Sequence, residues 1–269
     1  MNELSHRSPT PLNFHNTLFY QSEFYDAYNR ATPSDPGDLE ECSDISFWLE
    51  TAKDYGDRVL ELGCGTGRIS IPMAEAGLQV TGVDAFANML DGARKKSDRV
   101  TWIEADIRSL NLGKTFPCII MPYETLDLFL DLEDVEKVLA CVNQHLQADG
   151  RFIFDLRHFS LRYVRDLLQD KTPRFDRVFP YPDGEGEVKV MYVEDYDFET
   201  QVYTERMIFH LPDGKEVAED FPHRIYFPRE IEAILKYNGF AIDRRFGDFD
   251  RSPFRGDSVR QILVAQLAR

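Results

Sequence analysis

The chain has 269 residues, 43% hydrophobic and 29% charged, with a net charge of −16. That supports one large packed domain, or one domain carrying an elaborated insertion. The excess of acid argues against nucleic acid or an anionic membrane as partner, because both are held by clustered Lys and Arg.

Residues 1–16 carry no apolar stretch of the secretory type, and no run approaches the ~20 apolar residues of a membrane span. Cys42, Cys64, Cys118 and Cys141 form no CxxC pair. They read as reduced thiols of a cytoplasmic protein, not as a zinc site or disulfide frame.

The first stretch is aromatic (Phe14, Phe19, Tyr20, Phe24, Tyr25, Tyr28). In it, "YQSEFYDAYN" reads as a short helix with an aromatic stripe, and "TPSDPGD" breaks it. "DLEECSDISFWLETAKDYG" reads as a helix from near Asp38 to Gly56. Strand "RVLELG" then leads to helix "RISIPMAEAG", closed by Gly77. Strand "QVTGVD", helix "NMLDGARKK", strand "RVTWIEAD" and strand "PCIIMP" follow. "DLEDVEKVLACVNQHLQADG" is an amphipathic helix and "RFIFDL" a strand. Short apolar strands alternating with helices imply parallel βαβ units in an α/β fold.

After about Ser160 the rhythm changes to Val-, Tyr-, Phe- and Thr-rich segments punctuated by "PDGEG" and "PDGK", which read as antiparallel strands. Helix "PREIEAILKYNGF" has Pro228 at its start and Gly239 at its end. Strands "FAIDRRF" and "RQILVAQLA" close the chain. The expected division is an N-terminal aromatic segment (1–37), an α/β core (38–171 and 228–269) and an antiparallel β insertion (172–227).

The loop after the first core strand reads E-x-G-x-G-x-G: Glu61, Gly63, Gly65, Gly67. A dinucleotide loop, G-x-G-x-x-G, would need glycine where Arg68 stands, and a P-loop would need a Lys that is absent. Asp84 ends the next strand, 17 residues beyond Gly67, where an acid can accept from both ribose hydroxyls. Asp106 ends the third, where an acid can take an adenine amino group and Ile107 can pack on the ring. Separately, the glycines could form a tight turn only, and either acid could cap a helix. Together they describe an adenosine site with no phosphate requirement.

This constellation resembles the class I S-adenosylmethionine-dependent methyltransferases, from Asp57 to Leu156 and again in the C-terminal helix and final strand. "LELGCGTG" is similar to the family's first motif, "GVDAFANML" to its D-x-S-x-x-M-L, and "HLQADGRFIFDL" to its fifth-strand signature. The C-terminal segment "HRIYFPREIEAILKYNGF" resembles small bacterial methyltransferases. The resemblance implies a Rossmann-like seven-stranded sheet with its last strand antiparallel, and S-adenosyl-L-methionine as cofactor. Glu61, Gly63 and Gly65 would meet its methionine part, with Cys64 and Gly67 in the same loop. Asp84 would hold the ribose, Ala85 and Met89 would line the adenosine slot, and Asp106 and Ile107 would hold adenine. Backbone around Met121 and Pro122 would face the sulfonium. Phe86 replaces the family's small polar residue. An N-terminal lid would bring in Tyr20, Tyr25 or Tyr28, and the insertion would roof the acceptor.

DNA and protein-amide methylators of this superfamily carry D/N-P-P-Y after the fourth strand. Met121-Pro122-Tyr123-Glu124 departs from that and argues against adenine or glutamine acceptors. Tyr123 is then a substrate contact. Glu124 binds a cationic amine or accepts a proton, or else serves as an acid at a helix N-terminus. His158, after the fifth strand, is the first candidate base. His223 and Arg224 point to opposite strand faces, so one of them faces the pocket. His145 reads as a solvated helix position, and His6, His15 and His210 have no evident role. The insertion's acids (Asp183, Glu185, Glu187, Glu194, Asp195, Asp197, Glu199) read as a solvated face.

The expected activity is methyl transfer to N or O of a small-molecule acceptor, by a monomer or homodimer with no nucleic-acid or membrane partner. The rivals are a protein or RNA methyltransferase, a non-catalytic cofactor-binding subunit, and a nicotinamide dehydrogenase.

Overall fold

The computed structural model describes residues 17–31 and 41–268. Phe14, His6, His15, the "TPSDPGD" break, the helix start expected near Asp38 and the side chain of Cys42 lie outside the described residues. The elements are α1 (Ser22–Arg30), α2 (Glu41–Lys53), β1 (Arg58–Leu62), α3 (Ser70–Glu75), β2 (Gln79–Asp84), α4 (Ala87–Lys96), β3 (Thr101–Glu104) and β4 (Phe116–Met121). They continue with α5 (Leu132–His145), β5 (Leu146–Arg157), α6 (Leu161–Gln169), β6 (Arg174–Pro180), β7 (Glu187–Asp197), β8 (Val202–His210), β9 (Glu216–Arg224), α7 (Pro228–Tyr237), β10 (Phe240–Phe246) and β11 (Arg260–Leu267).

The larger sheet has seven strands in the order β10-β11-β5-β4-β1-β2-β3. β1 to β5 pair in parallel, whereas β11 runs antiparallel to both β5 and β10. The expected α/β architecture with an antiparallel last strand is therefore present. Successive strand residues point to opposite faces, and both faces are buried, which is why these strands are apolar throughout. Leu60, Ile119 and Phe152 pack on one side under Val138 of α5 and Ile231 of α7. Val59, Ile120 and Ile153 pack on the other under Trp48 of α2 and Met73 of α3. β1 lies between β2 and β4, so the chain leaves the sheet in opposite directions there and a crevice opens beyond the strand ends.

A second sheet, β6-β7-β8-β9, is antiparallel throughout. One part of its face packs Phe179, Val190 and Phe209 against Phe19, Phe24 and Tyr28 of the N-terminal segment. That segment is also tied to the core. Thr66 donates to Asp26 at 2.6 Å, and Lys95 and Lys96 of α4 pair with Glu23 and Asp26. The aromatic stripe of α1 thus fills a gap between the second sheet and the glycine loop.

Several expectations need correction. α5 ends at His145, and Leu146 already pairs with Phe116 as strand. His145 is not solvated: it is 1% exposed. Its Nε2 accepts the Leu112 N–H at 2.9 Å and its Nδ1 lies 2.8 Å from the Cys141 carbonyl, so the proton sits on Nδ1. β3 stops at Glu104, leaving Asp106 in the following loop. α6 was not expected. Ser160 caps it by accepting from the Tyr163 N–H, and among its described side chains Val164 and Leu167 are buried, too few to set a period that stands out. Glu194 is buried, accepting from Tyr203 at 2.7 Å and pairing with Tyr163 and Arg174. The insertion's other named acids are exposed.

Candidate active site

The glycine loop turns at left-handed backbone, with φ of 75° at Gly63, 52° at Gly65 and 86° at Gly67. Side chains rarely adopt such angles, which is the reason for three glycines in five residues. The N–H groups of Gly63 and Cys64 donate to the Val83 carbonyl at 2.8 and 3.0 Å, hanging the loop on the end of β2. Asp84 completes the hold: its Oδ2 accepts the Gly65 N–H at 2.7 Å and its Oδ1 the Phe86 N–H at 2.9 Å.

Around this loop lies a cavity of about 200 Å³. Glu61, Gly63, Cys64, Gly65, Asp84, Ala85, Met89, Asp106 and Ile107 all line it, with Tyr20 and Tyr25 on the N-terminal side. Gly67 and Met121 do not. A side chain at Gly67 would sit 2.6 Å from Trp102, so that glycine serves packing. Met121 is buried in the sheet core, and Pro122 lines the cavity in its place. Phe86 also lines it, its ring 5.2 Å from that of Tyr20.

The electrostatics follow burial. Glu61 is 2% exposed. Burial pushes its carboxyl up to about 8, although the Ser70 hydroxyl donates to it. Burial also raises Asp84, opposed by the backbone N–H groups it accepts. The Arg108 guanidinium holds Asp106 below its usual value and reaches Asp134 at 2.6 Å. Burial pushes the Cys64 thiol well up, which fits a small packing residue and not a nucleophile.

A second cavity, about 540 Å³, adjoins the first beneath the second sheet. The two share Tyr28, Arg68, Tyr123, Glu124, Arg157 and Glu205. Tyr123 and Glu124 are consecutive left-handed residues, with φ of 61° and 57°. Such backbone costs about 1–3 kcal/mol per residue and gathers at functional sites. Here it turns both side chains into the shared wall. Arg157 donates to the Glu124 carboxylate, Asp155 accepts the Glu124 N–H at 3.3 Å, and Arg68 lies 5.1 Å over the Tyr123 ring. Arg68 is itself held by Asp44 through bonds of 2.9 and 2.7 Å.

The candidate bases separate. His158 lines the second cavity, its Nε2 3.4 Å from the Gly256 carbonyl, with its pKa lowered by burial. His223 lines the first, where burial keeps it neutral by holding its pKa well below the usual value. Its Nδ1 has no hydrogen-bond partner among the described residues. Arg224 lines neither cavity. It donates to the Leu130 carbonyl at 3.1 Å and pairs with Glu230 at 2.9 Å, so it braces the sheet rather than a substrate. Arg157, Asp155 and Glu205 were not expected. Period-2 alternation in "FDLR" carried a signal for the first two, since Asp155 and Arg157 share a strand face. Glu205, in "YTERM", carried none.

A seven-stranded sheet with one antiparallel inner strand, a glycine loop at its switch point and acids at the ends of successive strands define an adenosine-binding α/β protein. A family model described as "Methyltransferase domain" matches residues 59–150. The Bacillus subtilis methyltransferase YqeM is 25% identical over 82% of this chain and 89% of its own length. The glycine/sarcosine N-methyltransferase of Aphanothece halophytica is 27% identical, covering 83% of this chain and 82% of that one. A solved S-adenosylmethionine-dependent methyltransferase from Clostridium acetobutylicum superposes with a TM-score of 0.71 at 22% identity, over 87% of this chain and 94% of that one. Together these matches and the fold support a class I S-adenosylmethionine-dependent methyltransferase, with S-adenosylmethionine as cofactor. No helix among the described residues is long and apolar enough to cross a membrane.

Proposed function

We propose that this protein methylates N or O of a small molecule held in the second cavity. The observation that carries the reading is the shared wall: Glu124, Arg157 and Glu205 border both cavities, so donor and acceptor sites are contiguous. The donor set suits the cofactor. Glu61 is a buried carboxylate suited to an ammonium, Asp84 suits ribose hydroxyls, and Asp106 with Ile107 suits adenine. Ala85, Met89 and Phe86 form the slot, and Tyr20 closes it from the N-terminal segment. When bound, S-adenosylmethionine supplies a methyl group on a sulfonium. The protein's part is to align the acceptor, hold its protons and keep water out.

The second cavity falls in the usual range for small-molecule sites. The name of the Aphanothece halophytica relative, an N-methyltransferase of glycine and sarcosine, supports a small acceptor. The acidic charge supports an acceptor other than nucleic acid, and the reading takes the protein as a cytoplasmic monomer or homodimer. In this reading, residues 1–37 act as a lid and residues 172–227 as the acceptor's roof.

Incubation with methyl-deuterated S-adenosylmethionine and a small-molecule extract, followed by mass spectrometry, tests it. A labelled metabolite is the expected result. No labelled product, with S-adenosylhomocysteine binding intact, would overturn the reading.

A further inference from the structure

We propose that the acceptor is an amine that enters as its ammonium ion, and that Glu205 holds it and removes its proton beside His223. This rests on the small-molecule reading above and names the acceptor's chemistry.

β8 turns Tyr203, Glu205 and Met207 to one face, and β9 sets Phe221 opposite Glu205 and His223 opposite Tyr203. Glu205 and His223 are therefore diagonal neighbours on the face that looks into the cavities. Across from them, the core edge presents Glu124 and Asp155. Two guanidinia serve this group: Arg260 of β11 acts on Asp155, and Arg157 faces the two glutamates. Arg157 donates to Glu124, lies 5.3 Å over the Tyr203 ring, and comes no closer than 3.9 Å to Glu205. That contact is Glu205's only ion pair among the described residues. Arg68, the other cation of the shared wall, is committed to Asp44.

Glu124, Asp155 and Glu205 outnumber Arg157 and Arg260, and partly buried carboxylate in excess of its counter-charge favours a cation. His223 is the independent second observation. Its enclosed Nδ1 lacks a partner among the described residues, and a neutral imidazole can accept an N–H from a substrate. A neutral donor could answer the imidazole nitrogen, but a neutral or anionic acceptor would leave the carboxylate excess unanswered. Burial also pushes Glu205 up to about 7, where a carboxylate can both bind an ammonium and take its proton.

The step balances. The ammonium N–H bond breaks and its proton goes to the Glu205 carboxylate. The freed nitrogen lone pair forms a bond to the methyl carbon, and the carbon–sulfur bond breaks with its electron pair left on sulfur. The products are a methylated ammonium, S-adenosylhomocysteine and, from Glu205, one proton to solvent.

The test separates the extract on a cation exchanger before incubation with methyl-deuterated S-adenosylmethionine. Label in the retained fraction, located on nitrogen by fragmentation, is expected. Label confined to the unretained fraction would keep the methyltransferase reading and overturn the amine. No label in either fraction, with S-adenosylhomocysteine binding intact, would overturn both.

On the amine so found, Glu205→Gln should lower turnover about 100-fold near pH 7, while S-adenosylhomocysteine affinity by calorimetry stays within about twofold. The wild-type turnover–pH profile should carry an ascending limb that is absent in Glu205→Gln. The groups facing Glu205 that shape that limb are Arg157 on β5, Glu194 on β7, Asp176 on β6, Glu124 after β4, His223 on β9, Tyr203 on its own strand and Tyr28 on α1. Unchanged turnover in Glu205→Gln would overturn the role given to Glu205.

Discussion

Asp84 accepts the Gly65 N–H at 2.7 Å across 19 residues of chain. The carboxylate expected to meet the ribose therefore also clasps the loop expected to meet the methionine part, so the cofactor's two halves are read by parts that hold each other. Asp84→Ala removes a buried, charged hydrogen-bond partner and should weaken S-adenosylhomocysteine binding by roughly 1–3 kcal/mol. Its melting temperature should also fall, because the loop loses its tie. Calorimetry showing unchanged affinity in a folded variant would count against the ribose placement.

Gly65 and Gly67 should answer differently to alanine. At Gly67, with φ of 86°, an added Cβ lies 2.6 Å from Trp102 and 3.0 Å from Ile71. Strain and overpacking together should cost about 2–4 kcal/mol of unfolding free energy. At Gly65 the nearest atom is Met89 Cε at 3.5 Å, at the cavity wall. Gly65→Ala carries the left-handed strain without the clash, so it should lose only about 1 kcal/mol in denaturant unfolding and should also lose S-adenosylhomocysteine affinity. The reverse pattern would give Gly67 to the cofactor and Gly65 to packing.

What the sequence made legible was local. "VLELGCGTG" and "QVTGVD" each carry strand, turn and acid within a few residues, and the structure sets them side by side in the expected order. The neighbours of Glu205 come from elsewhere: β9 carries His223 and β5 carries Arg157, and only the register of the sheets brings them together. No short motif encodes such an encounter. Glu194 misled for the same reason. In the sequence it sits among exposed acids, but its strand partners turn it toward Tyr163, Tyr203 and Arg174. For Asp84 the sequence leaves capping and ligand binding as rivals. The geometry lets one carboxylate line the cavity and bind two backbone N–H groups at once.

His145 follows Cys141 by four residues and Val142 by three, so it continues the buried stripe of α5 and meets Leu112. His145→Phe keeps the bulk but strands the Leu112 N–H in the interior. A loss of about 1–3 kcal/mol in urea unfolding is expected, with S-adenosylhomocysteine binding little changed. A stability equal to wild type would mean that water satisfies that N–H.

Burial holds Glu61 up at about 8 and Asp155 and Glu205 up at about 7, above their ordinary values of 4.5, 3.8 and 4.5. Between those limits the folded chain binds more protons than the unfolded one. Their contribution to stability is therefore complete below pH ~4 and is lost as pH rises toward ~8. The denaturant midpoint of the cofactor-free protein should fall across that window, and Glu61→Gln should flatten the slope. Binding adds a second signature. An ammonium beside Glu61 favours its ionised form, so S-adenosylhomocysteine should expel a proton near pH 7. Calorimetry in two buffers of different ionisation enthalpy reads that proton directly. The wild-type heat should depend on the buffer, and the Glu61→Gln heat should depend on it less. A buffer-independent wild-type heat would mean that Glu61 keeps its proton against the ligand and does not meet the ammonium.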